Sequence, residues 1–190
     1  MVPSPSPLRS PSQPSGSRPP RADTLLEELK RIGVSHVVGI PDNSSAALFH
    51  LLEEDGAIRL VTVTREGEAF AVASGLWLGG AHPVVLIQNT GLLESGDSLR
   101  GTAMRMGVPL LCLVTYRGYH KLPKKSSAPD VMTRAEVDSV AVVTEPTLDA
   151  WRVPYELYGS DDNQTRIAHA AARAEAESRT VALLLTRSLV

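Results

Sequence analysis

The sequence predicts an α/β fold: a parallel sheet with helices on both faces. Helix-type and strand-type patterns alternate along the chain from residue 22 onward. The strand segments are continuous apolar runs, such as Pro83-Val84-Val85-Leu86-Ile87, rather than alternating ones, which is the pattern of strands covered on both faces. Composition agrees: 43% of the 190 residues are hydrophobic but only 4% are aromatic, so Ala, Val, Leu and Ile must build the core. The length suits one domain. Crossovers in such a sheet are right-handed, and ligands sit at the carboxyl ends of its strands.

The elements follow in order. Residues 1–21 are rich in Pro and Ser, lack an apolar signal core and read as a disordered tail. Their Arg and Ser without any acid faintly suggest a transit peptide, but the proline density argues against the amphipathic helix it would need. Residues 22–190 read as one domain. Asp23 or Thr24 caps a first helix running to Arg31, with Leu25, Leu26, Leu29 and Ile32 on one face and Gly33 ending it. A strand over 36–40 leads to the turn Pro41-Asp42-Asn43, and Ser44 opens a helix through Glu54. A strand over 58–62 precedes a small-residue helix over 66–78. A strand over 83–87 is followed by a loop Gln88-Asn89-Thr90-Gly91 and a helix over 92–106. After a strand over 109–115, residues 116–138 read as a long loop. A helix near 147–151, a polar break over 159–162, a helix over 164–178 and a strand over 181–186 complete the chain.

Several function classes are excluded or disfavoured. A formal net charge of −2 gives no electrostatic case for nucleic acid or an anionic membrane. The longest apolar stretch, 70–87, is broken by Gly75, Gly79, Gly80, His82 and Pro83, so no transmembrane helix is expected. Cys112 is the only cysteine and lies in an apolar run, which suits a small buried hydrophobe and a cytoplasmic chain. His36, His50, His82, His120 and His169 are scattered, with no pair at metal-ligand spacing. No G-x-G-x-x-G, P-loop or G-x-S-x-G motif is present.

Three segments that each follow an expected strand would open at one sheet edge: Gly39-Ile40-Pro41-Asp42-Asn43, Arg65-Glu66-Gly67-Glu68-Ala69 and Gln88-Asn89-Thr90-Gly91-Leu92. On spacing alone, Glu66 and Glu68 read as carboxylates favoured in the first turn of a helix. Pro41-Asp42 reads as a turn and cap, and Gln88-Asn89 as an Asx-type turn as readily as a site.

Those segments, with Ala73-Ser74-Gly75, Tyr116-Arg117-Gly118, Val153-Pro154-Tyr155 and the closing Val181 to Arg187, carry a resemblance over 22–190. The chain resembles the alpha subunit of sulfopyruvate decarboxylase and the matching N-terminal half of phosphonopyruvate decarboxylase. The resemblance implies the pyrimidine-binding domain of a thiamine-diphosphate enzyme. It makes Glu66 the catalytic carboxylate beside the cofactor's aminopyrimidine ring, where it favours protonation at N1′ and so activates the thiazolium carbon. It also places Pro41, Gln88 and Asn89 by the cofactor, and Asn43 and Ser44 by a small 2-oxoacid substrate.

Two departures stand out. Asn43 precedes Ser44 where the family has serine directly after Pro-Asp, and Thr90-Gly91-Leu92-Leu93-Glu94 replaces S-G-L-G-N. Lys121, Lys124 and Lys125 either substitute for the family's basic stretch or form a solvated loop face.

The family's Mg²⁺ and diphosphate site, G-D-G followed by Asn, is absent. Gly96-Asp97 is the nearest fragment, and the only asparagines are Asn43, Asn89 and Asn163. The implied partner is therefore a diphosphate-binding beta subunit with a G-D-G…N motif, in a heterotetramer or larger assembly. Helices such as that over 66–80 either line this interface or pack within the domain. A carboligating, acetolactate synthase-like subunit and a non-catalytic module of the same fold are the alternatives.

Overall fold

The structure, a computed structural model, describes residues 18–123, 129–159 and 165–190. Most of the expected tail, Lys124 and Lys125, and most of the polar break over 159–162 lie outside those residues. The elements are α1 (Ala22–Arg31), β1 (His36–Gly39), α2 (Ala46–Glu54), β2 (Arg59–Thr62), α3 (Glu66–Leu78) and β3 (Pro83–Gln88). They continue with α4 (Asn89–Glu94), α5 (Gly96–Leu99) running into a π-helical turn Arg100–Met104, and β4 (Leu111–Thr115). The last are α6 (Ser139–Trp151), β5 (Tyr155–Tyr158), α7 (Thr165–Glu177) and β6 (Val181–Leu185), with 3-10 turns at Tyr119–Lys121 and Pro129–Thr133.

One six-stranded sheet has the order β2-β1-β3-β4-β6-β5, and every pairing is parallel. Alternate residues of each strand feed opposite layers, as the pleat requires. Val37, Val84, Leu86, Leu111, Leu113 and Leu183 pack with apolar residues of α1, α2 and α7. Val38, Val85, Ile87, Cys112, Val114 and Leu184 pack with Phe70 and Ala73 of α3, Leu99 of α5 and Leu148 of α6. The expected fold class is therefore the observed one. Cys112 is buried, and burial pushes its thiol up, so it behaves as a hydrophobe. Gly33 ends α1 at φ +79°, the left-handed backbone that favours glycine. Gly39 is fixed by space: a Cβ there would lie 1.8 Å from the Leu86 carbonyl oxygen of the paired β3.

Several expected boundaries move, each for a physical reason. α1 starts at Ala22 with Arg21 as N-cap, so neither Asp23 nor Thr24 caps it. The Asp23 carboxylate instead pairs with Arg21 and accepts the Thr24 amide at 2.6 Å. α2 starts at Ala46, not Ser44, because Asp42 Oδ1 accepts the Ser44 amide at 2.7 Å and holds 42–45 in a turn. The expected loop Gln88 to Gly91 does not exist: β3 ends at Gln88 and α4 begins at Asn89. The Asn89 side chain is taken by distant partners rather than by an Asx turn. α6 begins at Ser139, with Pro146 inside it, well before the expected 147. Its β-branched Val140, Val142, Val143 and Thr144 and its proline weaken the helical signal. β5 was not expected at all. Tyr155-Glu156-Leu157-Tyr158 is a short edge strand, only partly buried at its first three residues and lacking the apolar run of the inner strands.

Candidate functional site

The register places the ends of β1, β2, β3 and β4 together: Gly39 pairs with Thr62 and Leu86, and Gln88 with Thr115. The three singled-out segments therefore leave the sheet at its carboxyl edge, where open parallel sheets bind ligands.

Glu66 is the first residue of α3 and is half-buried. Its side chain lies directly on Gly91 of α4. A Cβ at Gly91 would stand 2.2 Å from Glu66 Cγ and 2.6 Å from both Cδ and Oε1, so only glycine leaves room. Among the described residues the Glu66 carboxylate has no hydrogen bond or ion pair, whereas its neighbours are all engaged. Glu68 accepts the Thr64 amide at 3.0 Å, and this bond holds its carboxyl below the usual range. Glu94 pairs with Arg65 and accepts the Gly67 amide at 3.2 Å. Ser98 Oγ donates to the Gly67 carbonyl at 2.6 Å.

Asn89, two residues before Gly91, is fully buried. Its Nδ2 donates to the Arg117 carbonyl at 3.1 Å and to Thr144 Oγ1 at 3.0 Å, while its Oδ1 meets no donor among the described residues. Such an orphaned acceptor costs about 1–3 kcal/mol and persists where something else repays it. Gln88 is half-buried, and its Oε1 accepts Thr90 Oγ at 3.0 Å. Pro41 and Asn43 are exposed at the tip of the β1–α2 connection. The Ser44 hydroxyl accepts Ser188 Oγ at 3.2 Å, and its carbonyl accepts the Leu189 amide at 2.9 Å.

Sequence reasoning treated Asp42 as a turn residue and missed its further role. Its Oδ2 accepts Ser45 Oγ at 2.7 Å and Thr115 Oγ1 at 2.9 Å, tying the β1 turn to the end of β4. It likewise missed Gly91 as the seat of Glu66, and Thr144 and Arg117 as holders of Asn89. The local clue at 91 was a small residue just after a strand–helix junction; Asp42 and Arg117 stand in short motifs that do not reveal these contacts, and no local pattern marks Thr144. Gly96-Asp97 is the start of α5, and Asp97 pairs with Arg100 at 2.6 Å on the surface. Among the described residues, no group of three or more His, Cys, Asp and Glu side chains gathers as a metal site. Two surface hollows, of about 760 and 400 Å³, lie along β2 and at the strand starts, and hold none of the site candidates.

A six-stranded, all-parallel sheet covered by helices on both faces defines a domain of the open α/β class. Residues 21–149 match the family described as thiamine pyrophosphate enzyme, N-terminal TPP binding domain, and the chain belongs to that family. It is 30% identical to phosphonopyruvate decarboxylase of Streptomyces viridochromogenes over 83% of this chain and 38% of that protein. It is 29% identical to sulfopyruvate decarboxylase subunit alpha of Methanothermobacter thermautotrophicus over 66% of this chain and 74% of that one. With the same subunit of Methanococcus maripaludis the identity is 32%, over 56% and 63%. The chain thus spans well under half the length of the phosphonopyruvate decarboxylase it matches. Benzoylformate decarboxylase from Polynucleobacter necessarius shares the fold at a TM-score of 0.63 and 18% identity, over 89% of this chain and 31% of that chain.

Proposed function

We propose that residues 22–190 form the pyrimidine-binding subunit of a split, thiamine-diphosphate-dependent decarboxylase of a small, sulfopyruvate- or phosphonopyruvate-like 2-oxoacid. The observation that carries this reading is the Glu66 carboxylate, seated on Gly91 at the sheet's carboxyl edge and left without a partner among the described residues. A carboxylate so placed fits an aminopyrimidine ring, because it can accept a proton shared with a ring nitrogen. Half-buried Gln88 ends β3 at the same edge, the orphaned Oδ1 of Asn89 is buried behind it, and Pro41 stands at the rim. Bound thiamine diphosphate supplies the nucleophilic carbon and the electron sink that loss of CO2 from a 2-oxoacid requires. The chain's own work is then to hold one proton at Glu66 and to orient the ring. Asn43 and Ser44 are the substrate-side candidates, since an oxoacid's anionic groups call for amide and hydroxyl donors.

Two features support a second polypeptide. The relatives whose lengths it largely covers are named as alpha subunits. Finally, α3 packs inward through Ala69, Phe70, Ala73 and Ser74 but leaves Ala71, Val72, Gly75 and Leu78 exposed on its other side. This apolar stripe lies on the face of α3 away from Glu66, and such stripes mark interaction surfaces. The assembly proposed is an α₂β₂ heterotetramer or larger, cytoplasmic, with the beta subunit holding Mg²⁺ and the diphosphate. No described helix is long and apolar enough to cross a membrane.

The test is CO2 release from 2-oxoacids by this chain alone, by a G-D-G-bearing partner alone, and by the two mixed. Activity is expected only in the mixture, dependent on thiamine diphosphate and Mg²⁺. Glu66→Gln should lower kcat about 100-fold or more, the scale of losing an acid–base group. A fully active Glu66→Gln mixture would remove the assignment.

A further inference from the structure

Glu66 must be held in place without its own carboxylate being tied up, and the residues on either side of it show how. The first helical N–H groups lack intrahelical partners, and the N-cap of α3, Arg65, makes no capping bond with its side chain. The cap comes from another element. Glu94, the last residue of α4, accepts the Gly67 amide at 3.2 Å and pairs with the Arg65 guanidinium. One side chain thus grips both chain neighbours of Glu66. Ser98 Oγ adds a bond to the Gly67 carbonyl at 2.6 Å. The clamp stands on a braced segment: Ser95 Oγ donates to the Gly91 carbonyl at 2.6 Å, and the Trp151 ring of α6 lies against Gly96. Gly91, the seat of Glu66, is three residues before Glu94, so α4 supplies both the seat and the clamp on one face. The sequence departs from the resembled family at this position, with Glu94 where that family carries asparagine.

We propose that Glu94 is a positioning residue: it fixes the backbone at 65–67 so that the Glu66 carboxylate is aimed and still free. This rests on the reading of Glu66 given above. The Glu94 and Arg65 side chains are 33% and 71% exposed, and exposed ion pairs contribute little to stability. The clamp therefore acts on geometry, and small misplacements of a catalytic group are expensive in rate.

The experiment uses the chain assembled with its partner. Glu94→Ala should lower kcat about 10-fold, roughly 1.4 kcal/mol in the barrier, with KM for the 2-oxoacid within about twofold. Glu94→Gln keeps an acceptor for the Gly67 amide and should recover at least about half of kcat; Glu94→Asp, too short to reach, should not. In a Glu66→Gln background Glu94→Ala should change the residual rate little, because both act through one group. Independently of activity, hydrogen exchange at the Gly67 amide should quicken about 10-fold in Glu94→Ala and not in Glu94→Gln.

A fully active Glu94→Ala enzyme beside a crippled Glu66→Gln one overturns the positioning role alone. An equal loss in both backgrounds overturns it too, since that marks a general structural defect. A fully active Glu66→Gln enzyme instead overturns the reading on which it rests.

Discussion

At position 91 one methyl group would displace the carboxylate on which the proposed chemistry depends. The α4 backbone is helical there, and alanine is favoured over glycine in helices by about 1 kcal/mol. A Cβ, however, would meet the flexible Glu66 side chain at 2.2 Å, and that side chain must swing away. Gly91→Ala is therefore expected to keep or raise thermal stability while lowering activity about 10-fold or more, read by melting curves and turnover on the same preparation. Loss of both together would mean that the contact is not the reason. Cys112 gives a second residue-scale expectation. Its thiol is buried and pushed up by that burial, and the thiolate is the reactive form. Iodoacetamide should label it only after denaturation, as mass spectrometry would show. The type and place of Glu66 were legible in the sequence because a local motif carries them. Its seat and clamp were not, because the Gly67–Glu94 bond spans 27 residues and no local pattern records it.

Among the elements, the turn at Asp42 joins two distant strands. The Asp42 carboxylate holds the Ser44 amide, Ser45 Oγ and Thr115 Oγ1, joining the turn after β1 to the end of β4. Ser45 and Thr115 are fully buried, so Asp42→Ala strands hydroxyls away from water. A loss of about 2–4 kcal/mol is expected from urea unfolding; a change under about 0.5 kcal/mol would contradict the network. α3 and the inner strands could be read almost residue by residue, since each is a short apolar or small-residue run. β5 and the first half of α6 could not. An edge strand buries too little to need an apolar run, and a helix rich in β-branched residues is held by its tertiary contacts rather than by propensity. The Gln88–Asn89 junction was misread for a related reason. Asn89 is a turn-former by habit, but here its Nδ2 donates to Arg117 and Thr144, 28 and 55 residues away.

For the whole molecule, the exposed side of α3 makes the sharpest demand. Val72 and Leu78 are 37% and 65% exposed on a helix whose other side is core. Val72→Asp with Leu78→Asp should leave the isolated chain as stable as before, because surface changes seldom exceed about 0.5 kcal/mol. It should abolish assembly with the proposed partner, as size-exclusion chromatography with light scattering would report. A doubly substituted chain that still assembles would move the interface elsewhere.

The junction where β3 passes straight into α4 has a further consequence for how this architecture diversifies. With no spacer between Gln88 and Asn89, inserting one residue would turn α4 by about 100° relative to the strand. Gly91 and Glu94 would then leave the start of α3 at once. Insertions and deletions at that point are closed to evolution and to engineering alike. Under the proposed function, new substrate preferences would instead come from the exposed tip at Pro41 and Asn43, which can change without turning a buried strand or helix.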